Sequence, residues 1–113
     1  MPPAKGKILA AAIAASGAMT AAGEAATAND LEKRGRVLAV RLCAQCHAVG
    51  KTDASHRAGA LPLRNLEQRI NLDTFASRLR QGQMSGHQDM REFRFSRDDA
   101  RALAAYLRSI QAP

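Results

Sequence analysis

The chain has 113 residues, of which 46% are hydrophobic but only four are aromatic, and its formal net charge is +7. This length allows one domain, and such a short chain with few large apolar side chains buries little surface, so we expect a non-protein group to complete the core. The positive charge alone would suit nucleic acid, but the arginines are scattered, aromatic residues for base stacking are few, and no nucleic-acid-binding motif is present, which argues against that class.

The first 28 residues have the layout of a secretory signal peptide. Lys5 and Lys7 precede an uncharged, alanine-rich stretch from Ile8 to Gly23, and an Ala-x-Ala cleavage context, Ala26-Thr27-Ala28, follows. The apolar stretch is too short and too weakly hydrophobic to span a bilayer, which takes about 20 apolar residues. We therefore expect cleavage near Ala28, with the scissile bond itself left open, and export to the periplasm.

Residues 29–113 are predicted to form one domain, a monomer whose mature form does not span a membrane. Its first helix is predicted to run from about Leu31 to Cys43, with Asn29 or Asp30 available as the N-cap. Leucines recur on overlapping faces of this segment, as an amphipathic helix requires. The helix leads directly into a cysteine motif.

Two further helical regions follow. Residues 64–80 carry apolar side chains at helical spacing and are predicted to form two short helices broken near Asn71, with Gly82 as a stop signal. Ser96, followed by acidic residues, predicts the N-terminus of a last helix that runs to about Ile110 with one apolar stripe.

The segments between the helices, residues 48–63 and 81–95, are predicted to be long loops. No stretch alternates as a strand does. The predicted fold class is therefore all-α, with three to four short helices and long loops that need something to wrap around.

The chemistry is concentrated in Cys43-Ala44-Gln45-Cys46-His47, which contains both cysteines of the chain. Thiols three residues apart on a helical turn project from nearly the same side and can form thioethers with two neighbouring vinyl groups of a porphyrin. The next residue, His47, brings an imidazole nitrogen beneath the iron. The motif predicts one covalent haem c, with Cys43 and Cys46 as the attachment points and His47 as the proximal ligand.

The cysteine pair has two other interpretations. A disulfide or thioredoxin-like redox pair normally opens a helix after a strand, whereas here a helix leads into the motif. A zinc site needs four ligands, so it would have to recruit His56, His87 or carboxylates from distant loops. Both alternatives are disfavoured, and the export signal adds weight to haem.

With these residues in view, the chain resembles the class I mono-haem cytochromes c over about residues 30–110. Gly35 lies eight residues before Cys43, a spacing that this family uses where its first helix crosses its last, and Tyr106 stands in the place of the aromatic residue at that crossing. The segment Ala60-Leu61-Pro62-Leu63 is similar to the one whose proline carbonyl orients the ligating histidine. The resemblance implies that Pro62 supplies this carbonyl to His47.

The resemblance also implies a distal iron ligand. The segment from Gly86 to Phe93 is similar to the family's methionine loop, which makes Met90 the predicted distal ligand, since a thioether is the soft ligand that accompanies His in electron-transfer haems. The family usually has a proline after this methionine and often one two residues before it; here Arg91 and Gln88 stand there. Alternative distal ligands are Met84, His56 and His87, and an open site is a further alternative.

We therefore expect an electron-transfer protein with no enzymatic role. It would shuttle single electrons between redox protein partners in the periplasm or membrane. The alternatives are a haem c subunit of a particular dehydrogenase or oxidase complex, and a gas-binding haem protein with a labile sixth ligand. Five arginines near the motif and Met90 predict partners with acidic docking patches, the alternative being a solvated surface without a docking role. These are Arg41, Arg91, Arg94, Arg97 and Arg101.

Overall fold

A computed structural model describes Ala11, Gly17, residues 27–82, Met90 and residues 92–113. In chain order its elements are α1 (Ala28–Leu42), a 3-10 helix (Leu63–Gln68), α2 (Leu72–Gln81) and α3 (Arg97–Ile110). The part of the chain so described contains helices and loops and no strand, so the all-α prediction is confirmed. None of the described helices combines the length and hydrophobicity that crossing a bilayer requires.

Helix α1 begins earlier than predicted, and its N-cap is Thr27, not Asn29 or Asp30. The Thr27 hydroxyl accepts a hydrogen bond from the Asp30 backbone N–H at 3.2 Å, and the Asp30 carboxylate accepts one from the Thr27 N–H at 3.4 Å. This reciprocal capping box satisfies two N–H groups that the start of a helix leaves unpaired. Asn29 and Asp30 therefore lie inside the first turn. The predicted cleavage context around Ala28 overlaps the cap.

The remaining helix boundaries agree closely with the predictions. The Asn71 side chain caps α2 by accepting from the N–H groups of Asp73 and Thr74, which separates α2 from the 3-10 helix as expected. Gly82 ends α2 with φ of 74°, in the left-handed region that favours glycine. The Ser96 hydroxyl caps α3 by accepting from the Asp99 N–H at 3.1 Å. Most of the predicted loop over residues 81–95 lies outside the described residues.

The core lies where α1, α2 and the 3-10 helix pack against α3. Helix α1 presents small residues, Gly35 and Ala39, at its buried face. A Cβ atom at Gly35 would overlap the Ala102 carbonyl oxygen and lie 2.6 Å from the Tyr106 Cβ, so the two helices approach closely only because this residue is glycine. The crossing of Gly35 with Tyr106 that the resemblance implied is present. Across the same pair of helices, Arg34 forms an ion pair with Asp99.

The buried cluster is formed mainly by leucines and aromatic residues of α2, α3 and the 3-10 helix. Its members are Ala39, Leu63, Leu66, Leu72, Phe75, Leu79, Phe95, Ala100, Leu103, Tyr106, Leu107 and Ile110. Half-buried apolar side chains from the end of α1 and the loops pack against this cluster, Cys43 and Met90 among them. The predicted attachment cysteine and the predicted distal ligand therefore border one core.

Candidate haem site

The cysteine motif occupies one helical turn beyond the end of α1. The N–H of Cys43 still donates to the Ala39 carbonyl at 2.8 Å, and the N–H groups of Cys46 and His47 donate to the Cys43 carbonyl at 3.2 and 2.9 Å. Both thiols are free and half-buried. This turn brings Cys43, Cys46 and His47 together as the spacing predicted, because residues three and four apart on a helix are neighbours.

The surroundings of Cys43 are apolar. Its side chain packs against the core cluster beside Leu42. Burial raises the pKa of the Cys43 thiol to about 11, since a thiolate loses its hydration there. The thiol is therefore neutral at physiological pH in the folded chain, as a group that faces a hydrophobic surface should be.

The imidazole of His47 is oriented by the loop that follows it. Its Nδ1 lies 2.7 Å from the Leu61 carbonyl oxygen, and because a carbonyl only accepts, Nδ1 must carry the proton. The unprotonated Nε2 is then the nitrogen available to a metal ion. A hydrogen bond of this kind fixes the tautomer and the ring direction and makes the other nitrogen a better ligand.

This hydrogen bond corrects the prediction for Pro62. The acceptor is the carbonyl of the preceding residue, Leu61, while the Pro62 carbonyl accepts from the Asn65 N–H at 2.9 Å. Pro62 is the N-cap of the 3-10 helix, so its carbonyl is directed along that helix and away from the imidazole. The proline still shapes the site, because its ring disfavours helical conformations at the residue before it, which here is Leu61.

The structure describes only some of the residues predicted as distal ligands. Met90 is half-buried against the core cluster, together with Phe93, whose ring centroid lies 6.0 Å from that of Phe95. Among the alternative distal ligands, His56 is exposed in the loop after the motif. Met84 and His87 lie outside the described residues. Ligation by Met90 stays a prediction.

The donor set fits a covalently bound haem. Two thiols and an imidazole with a free Nε2 share one turn, and Cys43 packs against the apolar core cluster. When bound, a haem supplies an iron that alternates between the ferric and ferrous states. No group of three His, Cys, Asp or Glu side chains suited to a metal ion occurs in residues 27–82 and 92–113. His87, which the zinc alternative could recruit, lies outside the described residues.

Several hydrogen bonds that reasoning from the sequence did not predict also hold the motif. The Tyr106 hydroxyl donates to the Val49 carbonyl at 2.5 Å, which links α3 to the segment after His47. The Asp53 carboxylate and the Ser55 hydroxyl accept hydrogen bonds from backbone N–H groups of residues 48–50. The only sequence signal for these contacts was that Asp and Ser readily bond to nearby backbone in loops.

Together, the all-α fold, the short helical turn with two thiols and the oriented histidine define a c-type cytochrome. The family model described as "cytochrome c oxidase, cbb3-type, subunit III" matches residues 29–107. The chain belongs to this family of c-type cytochromes, which carry covalent haem and transfer electrons. No curated protein and no solved structure matches the chain significantly.

Proposed function

We propose that this protein is a mono-haem electron carrier. Cys43 and Cys46 attach one haem c through thioethers, His47 is the proximal iron ligand, and Met90 is the distal one. The observation that carries the proposal is the 2.7 Å hydrogen bond from His47 Nδ1 to the Leu61 carbonyl, because it prepares Nε2 for a metal on the same turn as both thiols. With both axial positions filled by protein, no position is left for a substrate, so no enzymatic role is assigned.

The first test is whether the cofactor is covalent. The protein is matured in cells with a haem c attachment system and extracted with acid and organic solvent. Haem should remain with the polypeptide, and a Cys46→Ala variant should keep at most one attachment. Release of all haem from the wild-type protein would overturn the proposal.

The mature protein is proposed to be periplasmic and to lack its signal peptide, residues 1–28. The capping box of Thr27 and Asp30 sharpens the question of the scissile bond, because cleavage after Ala28 removes the cap whereas cleavage before Thr27 keeps it. Substituting an N-cap threonine costs about 1 kcal/mol. N-terminal sequencing of the exported protein decides between the two bonds, and a chain beginning at Met1 or Pro2 in membrane fractions would contradict cleavage.

The redox partner is proposed to present an acidic patch. Removal of Lys5, Lys7 and Glu24 with the signal peptide lowers the formal net charge only from +7 to +6. Of the arginines expected near the haem, four are exposed: Arg41, Arg94, Arg97 and Arg101. Arg91 lies outside the described residues. Opposite charges on two proteins accelerate their encounter. Salt screens this attraction, and at physiological ionic strength the screening length is about 8 Å.

The outer face of α1 supports this docking proposal. Val37 and Val40 are 54% and 47% exposed, one turn apart and immediately before the haem motif, with Arg41 beside them. A small apolar centre with a basic rim suits a transient interface of under about 1,200 Å².

Electron transfer to an acidic partner should therefore slow as salt increases, and Arg94→Glu should slow it at low salt without changing the haem spectrum. Arg78→Glu on α2 is the control of equal charge change. If the rate is independent of salt, or if both variants slow it equally, the arginines near the haem have no docking role.

A second candidate follows from the family description. It names an oxidase subunit, which favours the alternative that this chain is the haem c subunit of an oxidase complex. A subunit should co-purify tightly with haem proteins of the membrane at high salt, whereas a soluble carrier should be recovered alone.

A further inference from the structure

The segment directly after His47 is held by a complete set of backbone hydrogen bonds. We call residues 48–50 the histidine strap. No helix includes the strap, yet its three N–H groups and three carbonyls all have partners. The N–H groups of Ala48, Val49 and Gly50 donate to Ser55 Oγ at 2.9 Å, Asp53 Oδ2 at 3.0 Å and Asp53 Oδ1 at 2.8 Å. The carbonyls of the same residues accept from the Leu63 N–H at 2.9 Å, the Tyr106 hydroxyl at 2.5 Å and Arg64 Nη1 at 3.4 Å.

Two side chains, Asp53 and Ser55, satisfy all three strap N–H groups. Arg64 supports Asp53, since its Nη1 donates to the Asp53 carbonyl at 2.7 Å and lies 3.8 Å from the carboxylate. Partial desolvation raises the pKa of Asp53, but the N–H groups of Gly50 and Val49 and the charge of Arg64 outweigh it, so the pKa lies below its ordinary value. An ionised carboxylate is the stronger acceptor for backbone N–H groups.

The strap is one end of a loop whose other end holds the imidazole. His47 enters the strap through its backbone, and its Nδ1 is bound to Leu61 at the far end of the loop. The loop is closed again between these ends, because the Arg57 N–H donates to the Cys46 carbonyl at 3.0 Å. The path of residues 48–61 therefore sets where the Leu61 carbonyl lies relative to the ring.

We propose that Asp53 and Ser55 are positioning residues for the imidazole of His47. By fixing the strap, they hold the Leu61 carbonyl in line with Nδ1 and so hold the ring at one rotation beneath the iron. The inference rests on the proposed function, in that it takes His47 as the haem iron ligand. Its consequence is that the proximal ligand keeps one orientation in both oxidation states, which favours fast electron transfer.

The test compares variants of the matured holoprotein. Asp53→Ala removes both acceptor atoms, whereas Asp53→Asn keeps one oxygen; Ser55→Ala removes the hydroxyl, whereas Ser55→Thr keeps it. The first readout is amide hydrogen exchange of Val49 and Gly50, whose protection should fall about tenfold or more in Asp53→Ala. The second is the electron paramagnetic resonance spectrum of the ferric protein, whose g-values depend on the rotation of the axial imidazole.

We expect shifted g-values in Asp53→Ala and Ser55→Ala, with Ser55→Thr close to wild type. Asp73→Ala is the control. Asp73 is an exposed carboxylate of α2 that pairs with Arg108 of α3 and does not contact the strap. It should alter neither readout. Unchanged g-values in both alanine variants, accompanied only by lower thermal stability, would show that the two side chains stabilise the loop without positioning the ligand.

Failure of this inference is separable from failure of the proposed function. If the wild-type protein binds no covalent haem, the function fails before any variant is made. If haem binds but its ferric spectrum lacks histidine ligation, the assignment of His47 fails. If both hold and the variants retain the wild-type g-values, only the positioning role is wrong.

Discussion

The two sides of the candidate haem site are held by different kinds of interaction. On the His47 side, hydrogen bonds from side chains in three separate parts of the chain, namely the loop after the motif, the 3-10 helix and α3, fix the histidine strap. On the Met90 side, the described residues contribute mainly apolar packing, with Met90 and Phe93 half-buried against the core. Hydrogen bonds impose direction, whereas apolar contacts tolerate several arrangements. For the proposed pair of ligands, His47 and Met90, we therefore predict that ligand exchange begins at Met90.

The largest expected effect is that of Met90→Ala. Loss of the thioether should abolish the weak far-red sulfur-to-iron band of the ferric protein, lower the reduction potential and open the iron to carbon monoxide or cyanide. Absorption spectra with and without carbon monoxide measure this directly. Met84→Ala is the matched control and should keep the band. If Met84→Ala loses the band while Met90→Ala keeps it, the distal ligand has been assigned to the wrong methionine.

Gly35→Ala should have the next largest effect, and it should act on the His47 side. The added methyl group overlaps the Ala102 carbonyl and displaces Tyr106, which holds the strap. Overpacking of this kind lowers the free energy of unfolding by roughly 1–3 kcal/mol. The destabilisation from overpacking exceeds the stabilisation from the higher helix propensity of alanine only if the helix crossing cannot relax. Ser77→Ala, on the exposed face of α2, should change stability by less than about 0.5 kcal/mol in the same urea titration.

Tyr106→Phe removes one hydrogen bond and leaves the helix crossing filled. The Val49 carbonyl loses its partner, so the free energy of unfolding should fall by about 1 kcal/mol. The far-red band should persist, because Met90 is not touched. Loss of the band together with the hydrogen bond would mean that the two sides are not independent, and the contrast between them would break down.

The smallest effect concerns pH. The pKa of Asp53 is below its ordinary value in the folded protein, so its carboxylate stabilises the fold at pH values above the unfolded pKa of about 3.9. This contribution is lost as the pH falls through the lower folded pKa, because the unfolded state then binds the proton more readily. Asp53→Asn should flatten the acid limb of a stability-against-pH curve. Asp73→Asn is the control. It leaves Asp53 unchanged, so the loss of stability at acidic pH that Asp53 causes should remain.

Much of the local structure was predictable because its causes lie close together in the sequence. Apolar periodicity located the helices, Asn71 and Ser96 marked two helix starts, and Gly82 marked a stop. The N-cap of α1 was wrong, since Asn29, Asp30 and Thr27 are all good capping residues and only the chain path shows which one precedes the first turn. Capping residues predict that a helix begins nearby, but they locate its first residue only to within a few positions.

The sequence by itself determined the chemistry of the site, because Cys43, Cys46 and His47 lie on one turn and need no distant residue to come together. Only the tertiary structure decided how His47 is held. The acceptor is Leu61 and not Pro62, and the strap is bound by Tyr106 from α3, a contact 57 residues away in the chain. Periodicity and motif spacing report on neighbours along a helix, whereas these bonds depend on how α1 and the 3-10 helix pack against α3.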